Sequence, residues 1–424
     1  MDLLIKGALV IDPKNRIHEH LDIGISHGVI TAIQPHIDAS AAPQVIDATG
    51  LVVAPGLVDM HVHLRDPGLT YKEDILSGCE AAAAGGVTSV ICMPNTKPPI
   101  DSEELISYIY DRAKDAKAKV YPTATITRGM KGQELSDFSQ LMAAGAIAVT
   151  DDGRPVENAR LMQEAMELCH ALHLPVISHC EDLSIVDGGI INKGAVSVDL
   201  GVKGMDRSSE DSITAREIAL AEATGTSIHI AHVSTKGSVR IIRDAKRRGA
   251  KVTCETAPHY FMLTDRELFS RDANLRMNPP LREHADVAEV IAGIVDGTID
   301  AIITDHAPHS EEEKADFLTA PNGVVGLETS FAASYTALVE SGIISLDHLI
   351  RLMSLNPARI MKLGDNSLHV GNPADLIIID TKKKWVVDRN KLHGKSKNTP
   401  FHGRELTGKV KTTILGGQVV FEDQ

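Results

Sequence analysis

The sequence predicts an α/β fold, a (β/α)8 barrel of the TIM type with a small β-sandwich domain built from both termini. Three observations predict it. Apolar strand segments alternate with helical segments between residues 55 and 364, as in a parallel sheet covered on both faces. Short alternating β patterns occupy both ends of the chain, and neither end alone has enough strands to be stable. Histidines and carboxylates fall at the ends of the central strands, the face on which such barrels carry their sites.

Residues 1–54 hold the patterns Leu3-Leu4-Ile5, Leu9-Val10-Ile11, Leu21 to Ile25, Val29-Ile30 and Val45-Ile46. Turn signals such as Asp12-Pro13 and His27-Gly28 separate them. An apolar run then begins at Leu51 and continues through Leu57, Val58, Met60 and Val62 to Leu64, which reads as one buried opening strand. Further strands are expected at 87–93, 119–126, 146–150, 175–178, 227–231, 251–255 and 301–304, with helices at 73–84, 103–118, 159–172, 211–223 and 239–248. Eight strands with helical crossovers over residues 55–364 fit a barrel, whose usual size is about 250 residues plus insertions. The longest irregular stretches are 182–209, 260–282 and 310–326. Residues 365–424 return to β patterns, with Leu376 to Ile379, then Thr412 to Leu415 leading through Gly416-Gly417 into Val419 to Phe421. An open doubly wound sheet is disfavoured, because no Gly-rich phosphate loop follows the first central strand.

Composition narrows the function. With 424 residues and 43% hydrophobic content, the chain can bury one large core and an accessory domain. A formal net charge of −14 argues against nucleic acid and anionic membranes as partners. An anionic substrate would therefore need a local cationic site. No stretch approaches the roughly 20 apolar residues of a membrane span, and the N-terminus lacks the regions of a signal peptide. The five scattered cysteines form no CxxC pattern, as expected of reduced thiols in the cytoplasm.

The opening strand ends in His61-Val-His63-Leu-Arg65-Asp66-Pro67-Gly68. Residues two apart share a strand face, so both imidazoles and Arg65 project together. Other candidates sit at successive strand ends: Asn95, Asp151 and Asp152, His179, His232 and Asp305. Imidazole and carboxylate donors suit Zn2+. Four His and two Asp exceed one tetrahedral site, which points to two metals sharing a bridging carboxylate. A hydroxide held between them is the expected nucleophile, since zinc lowers the pKa of its water to about 7. Asp305, alone on the last strand, is placed to take and return a proton.

These motifs resemble the amidohydrolase superfamily, most closely the dihydroorotases of the bacterial class I type that includes the Gram-positive enzymes. The resemblance covers essentially the whole chain. It rests on the His61 to Gly68 stretch, Met93-Pro-Asn95-Thr96, Thr150-Asp-Asp152-Gly153, His179-Cys-Glu181, His232-Val-Ser-Thr-Lys-Gly237, Met277-Asn278-Pro-Pro-Leu-Arg282 and Thr304-Asp305-His-Ala-Pro-His309. It implies that His61, His63 and Asp152 hold one zinc and that Asp152 bridges to a second held by His179 and His232. Asp305 is implied as a ligand and the general base. Arg65 and Asn95 are implied on the substrate carboxylate, beside His63, with Asn278, His309 and the Asn322-Gly323 backbone around the ring. Many superfamily members bridge their metals with a carboxylated lysine, but no lysine lies between Lys131 and Lys193, so Asp152 must serve. The implied reaction is the reversible cyclisation of N-carbamoyl-L-aspartate to L-dihydroorotate in pyrimidine synthesis. A homo-oligomer is expected, and association with aspartate carbamoyltransferase stays open.

Several alternatives remain. Arg65 can be a rim ion-pair partner of Asp66 or Glu73, and Asn95 a turn residue. His259 reads as packed or as supporting a ligand, His306 as pointing away, and Asp151 as supporting rather than ligating. Cys180 reads as an inert buried thiol, the alternative being a thiolate that reaches the zinc. Residues 310–323 read equally as a solvated connection or as a cover over the ring. The competing functions are an allantoinase or hydantoinase and a non-catalytic subunit that scaffolds aspartate carbamoyltransferase. Arg65 and the missing lysine count against the first, and the filled ligand positions count against the second.

Overall fold

The computed structural model describes residues 1–423. The chain is α/β, and its strands divide between an end-built sheet and a central set of parallel pairings. β1 (Leu3–Asp12), β2 (Ile17–Ser26), β3 (Val29–Gln34), β4 (Gln44–Asp47) and β5 (Val52–Pro55) come first. The central strands are β6 (Leu57–Val62), β7 (Val87–Cys92), β8 (Lys119–Pro122), β9 (Val176–Ser178), β12 (Ile228–Ile230), β13 (Val252–Thr256) and β14 (Ala301–Ile302), with the short pair β10 (Ile191–Asn192) and β11 (Gly204–Met205) inserted after β9. β15 (Leu376–Val386), β16 (Glu405–Leu415) and β17 (Gln418–Glu422) close the chain.

The terminal strands form one sheet in the order β17-β16-β15-β5-β1-β2-β3, with β4 added beside β1. The two ends meet where β5 pairs antiparallel with β15. The sheet is mixed rather than wholly antiparallel, because β1 runs parallel to β4 and β5. It is one curled sheet rather than two stacked layers. Ile30 of β3 and Ile414 of β16, near opposite ends, share one apolar cluster with Ile5, Ile23, Val53 and Leu376.

The apolar run from Leu51 to Leu64 is two strands, not one. Gly56 separates β5, in the terminal sheet, from β6, in the central set. A side chain at Gly56 would overlap Thr88, so only glycine lets the chain pass there. Alternation explains why both strands look uniformly apolar. Val53, Leu376 and Ile378 face the terminal cluster, while Val52, Ala54, Ile377 and Ile379 face the large central cluster.

The central pairings are parallel throughout. β6 pairs β7 and β7 pairs β8. Val149 bridges Ala124 on one side and Val176 on the other, so the strand expected at 146–150 is reduced to a single bridging residue. The series continues through β9, β12, β13 and β14, and His306 bridges back to Val62. One strand face (Val58, Met60, Ile91, Met93, Ile177, Ile303) forms its own cluster; the other (Val62, Val90, Val176, Ile230, Cys254) packs in the large cluster with helical residues such as Ile109, Met162 and Ile242.

The expected helices form close to their predicted positions, with side-chain caps at their starts. Asp74 and Ser77 make a capping box for Ile75–Ala84, Ser102 caps Glu103–Arg112, Asn158 caps Ala159–Leu172 and Thr235 caps Lys236–Arg247. Each supplies an oxygen to an otherwise unpaired backbone N–H.

Candidate metal centre

Every expected ligand lies at or just beyond a strand's C-terminal end. His61 is in β6 and His63 follows it, His179 follows β9, His232 lies two residues past β12, and Asp305 three past β14. Arg65, His232 and Asp305 adopt positive φ angles of 60°, 32° and 47°. Such sparsely populated backbone states persist where the surroundings over-determine them.

Asp152 is the hub. Its Oδ1 lies 3.3 Å from His61 Nε2, 3.4 Å from His179 Nδ1 and 3.6 Å from His232 Nε2, and its Oδ2 lies 3.5 Å from His63 Nε2. Two groups able to hold a cation result, His61-His63-Asp152 and Asp152-His179-His232. His179 Nδ1 and His232 Nε2 face each other at 2.8 Å. Asp305 Oδ1 is 3.1 Å from His63 Nε2 and 3.7 Å from His61 Nε2.

The residues present fit a metal. His61 Nε2 and Asp152 Oδ1 are buried without a hydrogen-bond partner, and buried polar atoms left so are costly. Burial alone would raise the Asp152 pKa, yet the facing imidazoles hold it well below the usual carboxylate range. Asp305 is likewise held at about 2, its burial outweighed by His63, His61 and His232. Anionic carboxylates packed among imidazoles in a dry site call for positive charge.

The far nitrogens of the imidazoles are tied down. His61 Nδ1 lies 2.7 Å from Glu255 Oε1, His63 Nδ1 2.8 Å from Asn95 Oδ1, and His179 Nε2 3.1 Å from Glu181 Oε2. Metal-binding histidines characteristically donate their second N–H in this way. Asn95 is thereby fixed, its Nδ2 also reaching the Asp152 carbonyl at 3.4 Å. Asn278 Nδ2 donates to Glu181 Oε1 at 2.9 Å. Asp151 faces away from the imidazoles and accepts from the Ile126 and Thr127 backbone at 2.7 and 3.1 Å.

Arg65 is buried beside this centre, its Nε donating to the Pro308 carbonyl at 3.1 Å. Burial lowers its pKa to about 10, so it stays cationic at neutral pH. His309 Nε2 lies 2.9 Å from the Asn322 carbonyl and 3.4 Å from Arg65, and its Nδ1 lies 3.2 Å from Lys72 Nζ. Nε2 therefore carries the proton and Nδ1 accepts. Gly323 has φ 140°, and a β-carbon there would come within 2.9 Å of His309 Nε2, so the chain passes His309 closely only as glycine. The 310–323 segment is anchored by Lys314, whose buried ammonium donates to the carbonyls of Ala273, Arg276 and Pro321 at 3.0, 3.0 and 2.8 Å.

Known proteins place this arrangement. Residues 50–238 match the family model described as Dihydro-orotase-like. The chain is 52% identical to a dihydroorotase of Trichlorobacter lovleyi over 99% of each chain, and 52% identical to one of Citrifermentans bemidjiense over the full length of both. The chain belongs to the dihydroorotase family. Among solved structures it is similar to an L-hydantoinase (dihydropyrimidinase) from Arthrobacter aurescens, at TM-score 0.89 and 26% identity over 99% of this chain and 96% of that one. A dihydropyrimidinase from Brevibacillus agri, at TM-score 0.87 and 23% identity over 100% and 95% of the two chains, shares the fold.

In this dihydroorotase-family chain the structure also settles the lesser candidates. Cys180 does not face the ligands. Alternation puts it opposite His179 and Glu181, in the large outer cluster, with Sγ 3.8 Å from the Ser178 carbonyl; burial pushes its thiol up. His306 turns away, its Nε2 3.6 Å from Glu73. His259 is packed edge-on against Tyr260, and burial lowers its pKa to about 4. Sequence reading assigned no role to Glu181, Glu255 or His229. The available signal was a carboxylate or imidazole inside an otherwise apolar strand segment, where an unpaired charge is costly.

Proposed function

We propose that this protein is a dihydroorotase, a metal-dependent cyclic amidohydrolase that interconverts N-carbamoyl-L-aspartate and L-dihydroorotate in pyrimidine synthesis. One observation carries the reading. Two ligand groups share Asp152 in a chain that aligns end to end with dihydroorotases.

The proposed ligands are His61, His63 and Asp152 for one zinc, and Asp152, His179 and His232 for a second, with Asp305 beside both. When bound, the ions supply polarisation of the ring amide carbonyl and an activated water. The chain's own residues do the rest. In the hydrolytic direction the carbonyl carbon gains the water oxygen and its bond to the ring nitrogen breaks. Asp305, ionised and 3.1 Å from His63, accepts the water proton and delivers it to that nitrogen; ring closure reverses the steps. Arg65 pairs with the substrate carboxylate, as a guanidinium does well. Asn95 steadies His63 next to that carboxylate, and Asn278, His309 and the Asn322-Gly323 backbone border the ring.

Supporting the finer architecture, the parallel pairings return from His306 to Val62, the connectivity of a (β/α)8 barrel over 55–364, and β5 pairs β15, joining 1–54 and 365–424 in one accessory domain. Five buried free cysteines support a cytoplasmic setting. A homo-oligomer, and docking to aspartate carbamoyltransferase, are tested by sizing the protein alone and mixed with that enzyme. The hydantoinase alternative is disfavoured by Asp152 standing where a carboxylated lysine would be needed.

The deciding experiment measures zinc content with turnover of L-dihydroorotate and N-carbamoyl-L-aspartate, using allantoin and hydantoin as controls. The expected result is turnover of the first pair alone, lost in Asp305→Asn. Turnover of hydantoin or allantoin instead would overturn the assignment.

A further inference from the structure

The deepest charged group near the site touches neither substrate side nor solvent. Glu255 lies in β13, 1% exposed, with apolar strand residues around it. Its Oε1 is 2.7 Å from His61 Nδ1. Its Oε2 is 3.2 Å from Nε2 of His229, itself 3% exposed on the neighbouring strand. Parallel register sets His229 opposite Thr253, whose hydroxyl lies 2.8 Å from His229 Nδ1. Glu255 is two residues past Thr253, hence on the same strand face.

This geometry fixes proton positions along the row. The Thr253 hydroxyl donates to His229 Nδ1, which leaves His229 Nε2 carrying its proton towards Glu255. Glu255 then accepts from His61 Nδ1, so His61 Nε2 is left as the free lone pair, aimed at Asp152. A buried carboxylate that merely paired with one histidine would need no second imidazole. Here the second one, behind the carboxylate, restricts its rotation about the side chain.

We infer that Glu255 and His229 are positioning residues of the metal centre: Glu255 sets the tautomer and ring angle of His61, and His229 holds Glu255 in place. The inference rests on the reading of His61 as a zinc ligand.

The test uses purified full-length protein. Zinc affinity is measured by chelator competition, alongside the visible spectrum of the cobalt-substituted protein, the melting temperature of the metal-free protein, and kcat and KM. Glu255→Leu should weaken zinc binding about tenfold to a hundredfold, at unchanged KM. Glu255→Gln, whose amide oxygen can still accept from Nδ1, should recover most of it. His229→Phe should weaken it less and alter the cobalt spectrum. Unchanged affinity and spectrum in the Leu and Phe variants would overturn the inference. So would affinity losses that simply follow the metal-free melting temperature with no rescue by Gln. If Glu255→Leu does not fold, His229→Phe decides: an unchanged spectrum refutes. His61→Asn separates the two readings, because wild-type zinc affinity in that variant would overturn the ligand assignment itself.

Discussion

Asp152 shows how one residue can organise a site. Four imidazole nitrogens stand within 3.6 Å of its carboxylate, an arrangement that only a shared cation set or extra protons can balance. Asp305 has a different task, because its geometry leaves it beside the centre rather than within it. Asp305→Asn should therefore lower kcat by about 10²–10⁴ while zinc content stays near that of the native protein, as metal analysis of the purified variant would show; loss of the zinc instead would make Asp305 mainly a ligand. His309 gives a pH prediction. Burial, then Arg65, Lys72 and Lys314, push its pKa down to about 3, against about 6.5 when unfolded. Between those values the unfolded chain binds more protons, so stability rises with pH. The contribution is full above pH about 6.5 and is lost as pH falls towards about 3. Urea midpoints of native protein and His309→Gln should thus converge on going from pH 7 to pH 4. A constant gap would mean that His309 protonates in the fold as easily as outside it.

Gly56 marks the junction between two sheets, and the packing of Thr88 against it leaves no room for a side chain. Gly56→Ala should cost about 1–3 kcal/mol by overpacking, read as a lower urea midpoint; an unchanged midpoint would show that β7 yields at Thr88. The same junction shows where sequence reading stops. Apolar alternation revealed that residues 51–64 are buried on both faces, but a buried face looks alike whichever sheet covers it, so the break at Gly56 between β5 and β6 was not legible. The strand at 146–150 was placed correctly and overestimated in length, because apolar composition does not report how many ladder bonds form. β10 and β11, two residues each, are too short for any period to register. The ligand positions were legible, since each imidazole or carboxylate closes an apolar run. Glu255 and His229 were not, because their partners lie across the sheet and leave no spacing pattern along the chain.

At the scale of the whole molecule, a net charge of −14 surrounds a cationic pocket. Arg65, Lys72 and Lys314 are all buried, and Lys72 is partly neutralised by Glu313 at 2.8 Å. The proposed substrate, N-carbamoyl-L-aspartate, carries two carboxylates. Its approach is opposed by the overall field and favoured by the pocket, and salt separates the two by range. At about 0.01 M ionic strength the screening length is about 30 Å, and the distributed negative charge acts across the surface. At about 0.15 M it is about 8 Å, and a dianion near the site mouth feels mainly the local cations. For this substrate kcat/KM should therefore rise as salt increases over that interval, and the electrically neutral hydantoin and allantoin offer no such change in binding. Arg65→Gln should lower kcat/KM at both salt levels while keeping the rise, since the rise comes from the distributed charge. A steady fall in kcat/KM with salt in the native protein would show instead that the buried cations already dominate at long range.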